Sequence, residues 1–232
     1  MAFYKPNIIL MEMVNISYAI TVCDEAAELE RLLSQLVQAA DKDDEFVIQA
    51  DQNNVTQEVL DVISSFEGKY NGDDSRVKKQ KFNIIKTLHN LDGDFSQFKN
   101  NVKDKCTKDY VFFIDADEEV TTEQISTIKQ ILEMNPDFDC YLVPRINTVE
   151  GLTDRHVNEW RWSVNDKGWI NFPDYQYRIC KNIEQIKWVN KVHERLEGYT
   201  RMTMLPAEPV LALGHHKTIK KQEKQNNFYS TL

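Results

Sequence analysis

At 232 residues, with 41% hydrophobic and 28% charged side chains, the chain has the composition of a soluble globular protein with a sizeable core, not of a disordered or fibrous one. Its formal charge of −9 opposes polyanions, which argues against broad nucleic-acid binding, and the basic stretches at 76–81 and 217–224 read as solvated faces. The apolar patch at 8–14 is too short for a membrane span and has no cleavage site, and Cys23, Cys106, Cys140 and Cys180 form no C-x-x-C pair, so a reduced, cytoplasmic protein without a transmembrane segment is expected.

In chain order, residues 15–22 predict a first strand that ends in Cys23-Asp24-Glu25. Leu29, Leu32, Leu33, Leu36, Val37 and Ala40 then recur at helical spacing, with Glu28, Glu30, Arg31 and Gln35 on the other face. A second strand at 46–50 ends in Asp51-Gln-Asn-Asn54, side chains that bond their own backbone in turns. A helix at 56–66, a charged surface loop at 67–80, a strand at 82–87 and a helix at 94–106 follow. Strand–helix alternation of this kind predicts an α/β protein with a doubly wound sheet.

The fourth strand, Tyr110-Val-Phe-Phe-Ile-Asp-Ala-Asp-Glu-Glu119, ends in four acidic residues, Asp115, Asp117, Glu118 and Glu119. Burying its apolar run carries both aspartates to the carboxyl edge of the sheet, where open α/β sheets bind ligands. Two carboxylates there can share a hard divalent cation, which can hold a diphosphate. The alternative is an acidic turn before the next helix, capped by Thr121-x-x-Gln124. That helix runs to Met134 and is stopped by Asn135-Pro136. A fifth strand is expected at 139–144, an irregular tryptophan-rich stretch at 145–172, strand pieces at 175–180, 186–189 and 210–213, and a closing polar helix at 217–232.

The order of the motifs resembles family 2 glycosyltransferases. Cys23-Asp24-Glu25 stands after strand one, Asp51 after strand two, and Asp94-Phe-Ser-Gln-Phe-Lys-Asn100 before Asp115-Ala-Asp117-Glu118. Tyr177-Arg-Ile-Cys-Lys-Asn182, Val192-His-Glu194 and Gly214-His-His-Lys217 follow. The resemblance covers about residues 15–225. It implies a GT-A-type, Rossmann-like α/β/α sandwich with a mixed central sheet and a loop-rich acceptor half. Residues 1–119 would be the nucleotide-sugar half and 120–232 the acceptor-binding and catalytic half of one compact domain. The family's arginine in the Asp-Phe-Ser segment is Lys99 here, a point charge in place of a bidentate fork.

The resemblance implies an inverting transfer of sugar from a nucleoside-diphosphate donor, with a UDP-sugar expected, to an acceptor hydroxyl on a saccharide or on a hydroxylated base of viral DNA. Donor contacts fall to Thr21, Cys23, Glu25, Asp51, Lys99, Asp115 and Ala116. Metal ligation falls to Asp115 and Asp117 with a third ligand from the second half, His215 or else His216. Such mixed ligation suits manganese better than magnesium. Inversion needs a base for the acceptor proton, Glu194 or else Asp174. A structural role for Glu194 would be an ion pair with Arg195 or Arg178. Trp160, Trp162, Arg178 and His193 are the expected acceptor contacts. The other readings are a haloacid-dehalogenase-type phosphatase with Asp115 as nucleophile, and a silent sugar-nucleotide-binding module. A pyrophosphorylase lacks its glycine-rich loop here, and a calcium loop would need glycine at Val120.

Overall fold

The computed structural model describes residues 13–71 and 82–229; the basic stretch at 76–81 and most of the apolar patch at 8–14 lie outside them. Strands β1 (Ile16–Val22) and β2 (Glu45–Asp51) are buried almost throughout, so each needs cover on both faces. Cover comes from two cores on the two sides of the sheet. Tyr18 and Ile20 of β1 pack on Leu29, Leu32, Leu33 and Leu36 of helix α1 (Ala26–Ala39). Ala19, one residue out of phase, joins the core of Val102, Phe113, Trp188 and Leu196 on the opposite side.

The first half continues through α2 (Gln57–Tyr70), β3 (Asn83–His89), α3 (Phe95–Lys103) and β4 (Tyr110–Asp115). Local chemistry starts the helices: Thr56 accepts from Val59 N, and Asp94 accepts from Gln97 N. Then come β5 (Glu118–Glu119), α4 (Thr122–Met134), β6 (Cys140–Val143), β7 (Arg145–Glu150), α5 (Asp154–Trp160) and β8 (Gln176–Lys181). The chain closes with β9 (Lys187–Val189), β10 (Arg195–Glu197), β11 (Met202–Met204), a 3-10 turn at Pro209–Leu211, β12 (Leu213–Thr218) and α6 (Ile219–Tyr229).

The main sheet has the order β11-β6-β8-β4-β1-β2-β3. Strands β1 to β4 run parallel, and β8 is antiparallel to both β4 and β6, so the sheet is mixed. Because β4 pairs with β8, the two halves share one sheet. Cys106, Cys140 and Cys180 are buried free thiols. Among the described residues, no helix is long and apolar enough to cross a membrane.

Two expectations need correction. The stretch at 145–172 holds β7 and α5, and the strand expected at 210–213 is a 3-10 turn that leads into β12. Pro209 fixes the backbone angle that starts this turn. Strand β12 lies between β7, parallel, and β5, antiparallel, in a separate three-stranded sheet. His215 is thereby set opposite Glu118 and Asn147.

Candidate active site

Strands β1, β2 and β4 end at one edge of the sheet, where a cavity of about 590 Å³ opens. Register places Thr21 beside Asp115, and the Thr21 hydroxyl donates to Asp115 Oδ1 (3.1 Å). The N–H of Ala116 donates to Thr21 O (3.1 Å), so the turn after β4 is tied to the end of β1.

The turn after β1 is held by one of its own side chains. Glu25 Oε2 accepts from Cys23 N (2.9 Å) and Asp24 N (3.1 Å), and burial raises its pKa above the ordinary carboxyl value. Burial and the neighbouring acids push the Cys23 thiol up to about 11, so it lines the wall as a neutral group. Asp51 accepts from Asn53 N (3.3 Å), Leu91 N (3.2 Å) and Asn54 Nδ2 (2.7 Å) and still borders the cavity.

Across the cavity the carboxylates are held by distant cations. Glu118 is fully buried; its Oε1 takes Arg178 Nη2 (2.6 Å) and Arg145 Nη1 (3.3 Å), and its Oε2 accepts from Asp115 N (3.1 Å). Arg178 Nη2 also donates to Asp115 Oδ2 (2.7 Å). Burial works to raise the Asp115 pKa, but Arg178, Lys99 and Arg145 outweigh it and hold the carboxyl well below the usual range. Arg178, expected at the acceptor, borders the cavity but is 2% exposed, with Nη2 bonded to both Asp115 and Glu118 of this acidic turn.

The alternation of β12 separates the two histidines. His215 Nε2 lies 3.3 Å from Asp117 Oδ2, and Lys217, on the same face, reaches the same oxygen at 3.4 Å. His216 points the other way, exposed, with Nδ1 2.7 Å from Thr148 Oγ1, so it is set aside as a ligand. Against the opposing pull of burial, His215 and Lys217 hold the Asp117 carboxyl well below its ordinary pKa. Asn147 Nδ2 donates to Asp174 Oδ2 (2.8 Å), which leaves Asn147 Oδ1 to face His215 Nδ1 (2.7 Å). That bond turns Nε2 toward Asp117.

Asp117 and His215 therefore fit a divalent cation: one carboxylate and one imidazole, fixed by outer hydrogen bonds, with room on the cavity side. Asp115 does not join them. Its oxygens serve Arg178 and Thr21, and among the described residues no three His, Cys, Asp or Glu side chains converge on one point.

The two candidate bases differ in their surroundings. Glu194 Oε1 accepts from Lys99 Nζ (2.6 Å), while Arg195 is forked onto Glu197; the pairing expected with Arg195 or Arg178 is made by Lys99 instead. Lys99 lies over the Trp188 ring at 4.7 Å and 4.0 Å from Asp115. Asp174 accepts four hydrogen bonds, from Arg145 Nε and Nη2, Asn147 and Gln176. Burial raises its pKa, but Arg145 and the amides bring it below the ordinary value. Three of these bonds fall on Oδ2 and one on Oδ1, and the ion pair with Arg145 makes this carboxylate a weaker proton acceptor and a brace for the wall.

Trp162 and His193 line the cavity, whereas Trp160 is not among its lining residues and packs on Trp162 (ring centroids 4.7 Å apart) and His156. Arg145, Asn147, Glu118 and Lys217 carry site geometry without having been assigned roles from sequence. Polar and charged residues at alternate positions of β7 and β12 are the signal that could have exposed Arg145, Asn147 and Lys217. Nothing local marks Glu118 as buried.

The sequence model of glycosyl transferase family 2 matches residues 17–193. None of the curated proteins matches the chain. Among solved structures, residues 1–349 of S. aureus TarS are similar at a TM-score of 0.58 and 14% identity, over 87% of this chain and 60% of that one. The same TarS segment in complex with UDP-GlcNAc gives 0.59 and 14%, over 88% and 58%. A longer TarS structure gives 0.57 and 13%, over 90% and 38%. The chain thus spans about 60% or less of the TarS structures it matches.

Proposed function

The chain belongs to glycosyl transferase family 2, and from that premise we propose that it transfers a sugar, with inversion, from a UDP-sugar to an acceptor hydroxyl. Asp117 and His215 would hold a divalent cation, manganese in preference to magnesium. The observation that carries this reading is the meeting of Asp117 with His215 at the sheet edge, beside the cavity wall of Thr21, Cys23, Glu25 and Asp51. A uridine nucleotide is favoured by the fold-level likeness to a protein seen with UDP-GlcNAc.

The bound cation would supply Lewis acidity to the diphosphate leaving group. Thr21, Asp51 and the Cys23–Glu25 turn receive the nucleoside, and Asp115, fixed by Arg178 and Thr21, borders the ribose. The acceptor oxygen bonds to the anomeric carbon as the bond to diphosphate breaks on the opposite face, and its proton passes to Glu194. Glu194 Oε1 is taken by Lys99, so Oε2 is the accepting atom. Trp162, Asn171 and Gln176 form an aromatic and amide wall suited to a saccharide acceptor. The alternative acceptor, DNA, loses support because Lys217 faces the cavity while Lys221 and Lys224 pair with Glu28 and Asp24. The phosphatase reading is set aside: its nucleophile would be Asp115, already bonded to Arg178 and Thr21.

Slow hydrolysis of UDP-, GDP- and TDP-sugars, with manganese and with chelator, tests the reading. Turnover of a UDP-sugar that stops with chelator is expected; no turnover of any donor would refute it. Glu194→Gln is expected to keep donor affinity and lower transfer by about 10²-fold or more. The same loss in Asp174→Asn, with Glu194→Gln active, would reassign the base.

A further inference from the structure

Four Lys and Arg side chains line the cavity, together with six Asp and Glu side chains, Glu25, Asp51, Asp115, Asp117, Asp174 and Glu194. A diphosphate entering so acidic a site needs a cation that is not already in close contact with a carboxylate. Lys99 is 2.6 Å from Glu194. Arg145 is bound to Asp174 (2.7 Å) and Glu118, and Arg178 to Glu118 (2.6 Å) and Asp115 (2.7 Å). Lys217 differs. It is 8% exposed, yet among the described residues its ammonium makes one hydrogen bond, to the neutral amide oxygen Gln225 Oε1 (2.7 Å), and one looser ion pair, 3.4 Å, with the Asp117 oxygen that His215 also faces. An ammonium has three N–H donors, and burying one with so little compensation is costly unless an anion is to arrive.

We propose that Lys217 is a diphosphate-binding residue. This rests on the reading of the site as one for a nucleoside-diphosphate sugar. Strand alternation places Lys217 on the face of His215, two residues on, so cation site and ammonium lie side by side against Asp117. In the ligand-free protein the ammonium is parked on Gln225; with donor bound it turns to a phosphate oxygen, where a charge-assisted bond replaces a bond to an amide. Gln225 belongs to α6, which Lys221 and Lys224 fasten to Glu28 and Asp24 beside the donor turn. Helix α6 thus holds Lys217 in readiness next to the nucleoside wall.

Calorimetric titration of UDP and of uridine into wild type, Lys217→Met and Lys217→Arg, with manganese present, tests this. Lys217→Met is expected to weaken UDP roughly 10- to 100-fold and leave uridine within about twofold, with Lys217→Arg recovering much of the loss. Unchanged UDP affinity in Lys217→Met would overturn the proposal, as would equal loss for UDP and uridine. Should Lys217→Met fail to fold, Lys217→Gln under the same titration decides by the same criteria. Failure of wild type to bind UDP at all would instead sink the donor reading, and the proposal with it.

Discussion

The two walls of the cavity are held together in different ways. On the wall built at the ends of β1 and β2, Glu25 is bonded by N–H groups one and two residues away, and Asp51 mainly by its own turn at Asn53 and Asn54. On the opposite wall, Asp115, Asp117, Glu118 and Asp174 depend on Arg145, Arg178 and His215, which lie 27 to 98 residues away in sequence. The first wall can form as soon as its turns form. The second exists only once β5, β7, β8 and β12 are assembled, and charge then fixes it, so damage there propagates from one pair to the next.

The largest effect expected is on chemistry at the distant wall. If Asp117 anchors the cation as proposed, Asp117→Ala should lower transfer by ~10³-fold in initial-rate assays, with the circular dichroism spectrum unchanged because the sheet is intact. Next comes stability. Arg178→Met leaves Glu118 and Asp115 without their shared cation and should cost about 3–5 kcal/mol in urea unfolding. A loss under about 1 kcal/mol would show that the wall does not depend on its ion pairs.

Acid should separate the walls further. Asp115, Asp117 and Asp174 have depressed pKa values when folded, so the stability they contribute is complete above the unfolded aspartate pKa of about 3.9 and is lost as pH falls through the lower folded values. Glu25 is raised by burial and works in the opposite sense: the stability its shift gives is full below its unfolded value and fades as pH rises. Unfolding free energy should therefore drop below about pH 4, and Asp174→Asn should flatten that drop. The smallest effect is expected on the local wall: Asp51→Asn should cost about 1 kcal/mol, because the turn keeps most of its bonds. A loss as large as that of Arg178→Met would erase the distinction.

The same contrast explains what could be read from the sequence. The helical spacing of Leu29, Leu32, Leu33 and Leu36 and the apolar run at Val111 to Ile114 report on local structure, and the first four strands formed where those patterns put them. Asp115 and Asp51 at strand ends follow from the same reading. The pairing of β12 with β5 and β7 has no periodic signature, since it joins segments about 70 to 100 residues apart through a six-residue strand of mixed polarity. Without that pairing, His215 could not be distinguished from His216, and Lys217 read as part of a solvated basic stretch. The ion pairs of Arg178 are hidden for a related reason: a lone arginine in a strand gives no sign that two carboxylates from β4 and β5 will close over it.

Asp117 and His215 are proposed to hold together the cation that receives the donor's diphosphate. Calorimetric titration of UDP into wild type, with manganese and with chelator, and into His215→Ala under both conditions, tests it most directly. Manganese is expected to strengthen UDP binding to wild type about tenfold or more, and this gain is expected to be lost in His215→Ala. Equal UDP affinity with manganese and with chelator, or an undiminished gain in His215→Ala, would contradict it.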